Sequence, residues 1–108
     1  MSKVKYVSKE TKEALKKEHG DKLRSVIIPL DDDNTEELEI LVVVPNRAVA
    51  GQAMRFISSD PKKYMEILVK NCVLTDKELI MADDALFFST APMLAELLPI
   101  RQGKFGKV

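Results

Sequence analysis

The sequence predicts an α+β protein: an N-terminal helix, a β-hairpin of two or three strands, and a C-terminal bundle of three to four helices packed on it. Three observations carry this. β-Branched residues crowd two short stretches, around Val26-Ile27-Ile28 and Ile40 to Val44, with a run of turn formers between them. From Pro45 onward apolar residues recur at helical spacing. Residues suited to starting helices, Ser8, Asp60-Pro61 and Asp83, stand where those periodic stretches begin. At 108 residues the length suits one domain, expected over residues 1–100, with 101–108 a flexible basic tail.

Ser8 can cap a helix running to about His19, with Glu10 in the first turn where negative charge complements the helix dipole. Gly20 is a natural stop. The apolar stripe of this helix is thin, chiefly Val7, Ala14 and Leu15, and its other side mixes Lys9, Lys12, Lys16 and Lys17 with glutamates, so a peripheral, solvated helix is expected. Strands are predicted over Leu23–Leu30 and Glu36–Val44, joined by the acidic turn Asp31-Asp32-Asp33-Asn34-Thr35. Pro29 cannot donate a ladder hydrogen bond, so the first strand ends there or lies at an edge. The second strand alternates at first, Leu38 and Ile40 against Glu37 and Glu39, and finishes apolar on both faces, so its far end must be covered.

A helix from about Asn46 to Ile57 places Val49, Ala53, Phe56 and Ile57 on one face; Gly51 weakens it or permits close packing. Asp60 as cap with Pro61 at the first helical position starts the next helix, with Tyr64, Ile67, Leu68, Asn71 and Cys72 on one stripe. Thr75-Asp76-Lys77-Glu78 matches a capping box ahead of Leu79-Ile80-Met81, which reads as a short helix or as a third strand. Asp83 caps a last helical stretch in which Phe87, Ala91, Leu94 and Leu98 share a face; Pro92 either kinks it or begins a second helix.

Composition excludes several functions. Seventeen basic side chains balance seventeen acidic ones, which argues against a dedicated nucleic-acid or anionic-membrane binder. One cysteine makes no internal disulfide, the first residues lack an apolar stretch of signal-peptide length, and the longest strongly apolar run is far short of a membrane span. A cytoplasmic location is expected. The acidic turn fails the calcium-loop register: counted from Asp31, the sixth position is Glu36 where glycine is needed, and the twelfth is Val42 where glutamate is needed. Cys72 lies on an apolar stripe, where cysteine acts as a small hydrophobe, and nothing in the local pattern brings it to His19. The carboxylate pairs Glu36-Glu37 and Asp83-Asp84 are adjacent residues pointing apart, so neither forms an acid–base dyad. No catalytic residue, metal ligand or cofactor site is expected.

What remains is surface. Leu86, Phe87, Phe88, Met93, Leu94, Leu97 and Leu98 cover more than half the circumference of the last helix, so they belong to a core or to a contact with a partner or a second copy. The tail from Arg101 to Val108 is basic without compensating acids, and Phe105 within it suits an anchor on a partner. Phe87, Phe88, Met93, Leu97 and Phe105 are the candidate partner-binding residues.

The stretch from Glu39 to Leu98 resembles the small tail assembly chaperones of long-tailed phages and prophages. The likeness runs through Ile40-Leu41-Val42-Val43-Val44 into Pro45-Asn46-Arg47-Ala48, through Asp60-Pro61-Lys62-Lys63-Tyr64 to Leu74, and through Asp83-Asp84-Ala85-Leu86-Phe87. The charged helix and first strand ahead of it fit the same layout, and the glycine-containing basic tail departs from it. The resemblance implies a non-enzymatic protein of the host cytoplasm that binds the long, helical, hydrophobic tape measure protein, or other tail-component helices, and keeps it soluble during tail assembly. Met54, Met65, Met81 and Met93 would suit such an adaptable surface. The other reading is a small regulatory or DNA-associated phage protein that uses the lysine-rich first helix and the basic tail.

Overall fold

The structure is a computed structural model that describes residues 3–33, 35–101 and 103–108. In chain order it comprises β1 (Lys3–Lys5), α1 (Lys9–His19), a 3-10 turn (Gly20–Lys22), β2 (Leu23–Pro29), β3 (Glu36–Val43), α2 (Arg47–Met54), α3 (Pro61–Cys72), α4 (Lys77–Ala82) and α5 (Asp84–Glu96). The α+β class, the hairpin and the four helices after it are as expected. The third strand is β1 at the N-terminal end, and Lys77–Ala82 is helical.

The sheet order is β1-β3-β2, which makes β3 central. β2 runs antiparallel to β3 from Leu23↔Val43 to Pro29↔Glu37, with Pro29 on an edge strand as its missing N–H requires. On the other side β1 pairs parallel with Glu36 to Leu38. Farther along that edge the chain leaving α3 takes over. Val73 bridges Val42, the Leu74 N–H donates to the Leu41 carbonyl at 2.9 Å, and the Leu41 N–H donates to Thr75 Oγ1 at 3.0 Å. Thr75 is therefore occupied by the sheet and does not form the capping box. The N-cap of α4 is Asp76, in left-handed conformation at φ 53° with no side-chain cap bond.

The remaining caps follow the sequence. Ser8, Asn46, Asp60 and Asp83 accept from the N–H groups of Thr11, Val49, Lys63 and Leu86, and Gly20 ends α1 at φ 58°, where a side chain would be strained. Helix α2 stops at Met54, three residues short of the expected Ile57, and the chain turns through residues 55–59. Pro92 lies inside one continuous helix, α5, and does not begin a second.

One face of the sheet (Val26, Ile28, Leu38, Ile40, Val42) packs with Leu68, Val69 and Cys72 of α3, Ile80 of α4, and Leu86, Phe87, Ala91 and Leu94 of α5. Asn71, expected on the α3 stripe, is exposed, and Val69 takes its place in the core. Each fully buried aliphatic side chain contributes roughly 1.5–3 kcal/mol, and most of the stability resides here.

The opposite face is organised differently. Glu39, expected among the outward polar positions, is only 5% exposed. Its carboxylate accepts from the Val7 N–H at 2.9 Å and the Ser25 hydroxyl at 2.5 Å, and pairs with Lys12 Nζ at 2.8 Å. Since α1 has no buried residue of its own, this cluster fastens it to the sheet. Desolvation pushes the Glu39 carboxyl up, but the hydrogen bonds from Lys12, Ser25 and Val7 together with the Lys12 charge outweigh it, and the group titrates below the ordinary value of 4.5.

Glu39→Ala strands two donors and Lys12, and we expect it to lower the unfolding free energy by about 2–4 kcal/mol, against about 1 kcal/mol for Lys12→Ala, whose half-exposed ammonium is already solvated. Urea titration of both variants checks the ranking. Because the carboxyl is depressed in the folded state, its stabilisation is complete above its unfolded value and is lost as pH falls through the folded one. Wild-type stability should therefore decline below about pH 4.5, with a shallower slope in Glu39→Gln, measured by thermal melts across pH 3–6.

Candidate functional site

Helix α5 is apolar on most sides, and its neighbours decide which residues reach water. Leu86, Phe87, Ala91 and Leu94 face the core. Phe87, expected at a partner surface, is 7% exposed and belongs to the interior. Phe88, one position on, turns outward at 57% exposure, its ring meeting that of Phe87 edge-on at 5.5 Å. Met93 is 38% exposed, Leu97 is half-buried against the core, and Phe105 is fully exposed on the tail.

One turn beyond Phe88 on the same helix face lies a groove of about 300 Å³. Its walls are Ala91, Pro92 and Ala95 of α5, Tyr64 and Met65 of α3, and Ile57 from the turn after α2. Two small residues and a proline keep the α5 wall low, and Ile57 on the far rim is itself half exposed. Pro92 also has no N–H to offer the Phe88 carbonyl. No charged side chain lines this groove. It can bind apolar surface, and the Tyr64 phenol is the one ionisable group among the described residues that line it.

A second concavity, about 650 Å³, opens where β3 ends and α2 begins. Val43, Val44 and Pro45 form part of its lining, and basic groups reach it from two segments, His19 and Lys22 at the end of α1 and the turn after it, and Arg47 at the start of α2. His19 and Cys72, unconnected in the sequence pattern, line this same cleft. They do not form a nucleophile–base pair of use. Cys72 is fully buried, and desolvation, only partly opposed by the charge of Lys77, pushes its thiol up to about 11. It is a thiol at neutral pH. Asn71, on the wall, donates its amide to the Ile67 carbonyl of its own helix at 2.8 Å. Among the described residues no three or more His, Cys, Asp or Glu side chains are grouped to hold a metal ion, and no helix is long and apolar enough to cross a membrane.

Sequence reasoning found the exposed Phe88 and Met93 and missed both concavities. Each is built by residues far apart in the chain; the one local hint was the pairing of small Ala91 and Ala95 around Pro92.

No protein-family model matches the chain, and no curated protein does. Its fold is similar to that of a solved structure, an uncharacterised protein from Bacillus stearothermophilus, with a TM-score of 0.63 and 17% sequence identity, covering 89% of this chain and 99% of that one.

A buried thiol with raised pKa should be inert in the native state. Ellman's reagent at pH 8 is expected to label Cys72 at least about 100-fold more slowly in the folded protein than in urea; comparable rates would place the thiol in contact with solvent.

Proposed function

We propose that this protein is a tail assembly chaperone of a phage or prophage, which binds helices of the tape measure protein and keeps them soluble while the tail is built. The observation that carries this reading is the open apolar groove between α3 and α5 with Phe88 standing exposed beside it. A groove between two helices accepts the apolar face of an amphipathic helix, whose anchors recur every three to four residues. Phe88 offers an aromatic ring able to bury on the order of 150 Å² or more on contact. Met93, exposed at 38%, and Met65, which lines the groove, adapt their shape to differing side chains, which suits a client presenting many similar helical segments. A soluble, charge-balanced protein with one such face can mask a hydrophobic helix without needing any reactive group.

Co-expression tests this. The soluble fraction of a tape measure protein, or of a long apolar helical fragment of one, should rise several-fold and co-purify with the wild type. Phe88→Asp should abolish both effects, while its own stability stays within about 0.5–1 kcal/mol of wild type because the side chain is mostly solvated. No gain in solubility together with no co-purification would overturn the proposal.

A further inference from the structure

The charges of this protein cancel overall, yet they are sorted along β3. At one end the β2–β3 turn carries Asp31, Asp32, Asp33, Glu36 and Glu37. Nearby Lys3 and Lys5 of β1 offset this acidity in part. At the other end, about 26 Å away by strand rise over eight residues, is the cleft with His19, Lys22 and Arg47. Pro99 also lines that cleft, and the tail that leaves it adds Arg101, Lys104 and Lys107 with no acid. Among the described residues that line the cleft Glu18 is the one carboxylate, 4.0 Å from His19 Nε2, so Lys22 and Arg47 carry most of its positive charge.

The two ends also differ in form. At the base of the acidic end the Thr35 N–H donates to Asp31 Oδ1 at 2.8 Å, the Thr35 hydroxyl bonds the same carboxylate, and the Leu30 N–H donates to the Glu36 carbonyl at 2.8 Å. Beyond these bonds Asp32 and Asp33 are exposed. The cationic end is a concavity of about 650 Å³, roomy enough for a turn of this kind.

We infer that the acidic β2–β3 turn of one copy seats in the cationic cleft of a second copy, so that the protein associates with itself head to tail along the β3 direction. Such a contact uses two different surfaces on each copy and leaves one of each free at the ends, so it propagates or closes into a ring. Zero net charge removes the overall repulsion that would oppose it, and the opposed local charges orient the approach. The groove between α3 and α5 lies outside both surfaces, and the inference does not rest on the chaperone reading.

Sedimentation analysis of the full chain at high concentration tests it. The weight-average mass should reach at least twice the 12.2 kDa monomer at about 10 mM salt and fall to the monomer value near 1 M, where the screening length shrinks from about 30 Å to about 3 Å. Two double variants change only exposed positions: Asp32→Lys/Asp33→Lys reverses the turn, and Lys22→Glu/Arg47→Glu reverses the cleft. The second places an acid at the start of α2, where the helix dipole favours it. Each should be monomeric alone at low salt, and an equimolar mixture should regain the wild-type mass. A wild type that stays at 12.2 kDa, single variants that associate as it does, or a mixture that remains monomeric would overturn the inference. So would a monomeric wild type whose cleft retards a short duplex DNA and loses that binding in Lys22→Glu/Arg47→Glu, which would assign the cleft to nucleic acid.

Discussion

Everything in this fold is arranged around the need to satisfy β3 on both edges and both faces. A strand whose second half reads Ile40-Leu41-Val42-Val43 buries its backbone as well as its side chains, and each buried N–H or carbonyl left without a partner would cost about 1–3 kcal/mol. One edge is met by β2 along its whole length. The other is met in pieces, by three residues of β1 and then by Val73, Leu74 and the hydroxyl of Thr75. The chain after α3 is thus pinned to the sheet, which fixes where α4 and α5 begin. Because Leu74 and Thr75 hold that position, the next residue must turn sharply, and Asp76 does so in left-handed conformation.

The faces of β3 are met unequally. Helices α3, α4 and α5 cover one face with apolar side chains. The other receives a single charged helix with a thin apolar stripe, and there the buried Glu39 carboxylate stands beside one buried aliphatic side chain, Leu41. Glu39 gathers a backbone N–H, a hydroxyl and an ammonium from three segments, and together they outweigh its desolvation. An attachment that rests on one acid and little buried area, with no buried residue in α1 itself, is specific in geometry and weak in reserve. Local opening of α1 should therefore precede opening of the core.

What the sequence made legible follows from the range over which each signal acts. Caps at Ser8, Asp60 and Asp83, the stop at Gly20 and the hairpin over residues 23–43 are local, and their side chains act on backbone a few residues away. Strand β1 was not legible because Lys3-Val4-Lys5 is too short for any periodicity and forms only because β3 offers it an edge. Glu39 read as a solvent-facing position because alternation distinguishes the two faces of a strand but not whether a helix will cover the second. Thr75 was claimed by a local motif and a distant strand at once, and the buried N–H of Leu41 won. The concavities were invisible for the same reason: His19, Arg47 and Cys72 meet only after three elements have packed.

Helix α5 shows how one sequence pattern serves two purposes. Its residues are apolar around most of the circumference, yet only α3, α4 and the sheet are available to cover it, and these reach Leu86, Phe87, Ala91 and Leu94. No fourth neighbour among the described elements covers Phe88, and Pro92 and the alanines beside it leave the wall toward α3 low enough for another helix to approach. A protein of this size could have placed polar residues there at little cost to its core. Phenylalanine and proline on that side leave apolar surface facing water, and it is on this imbalance that the proposed binding at the α3–α5 groove rests.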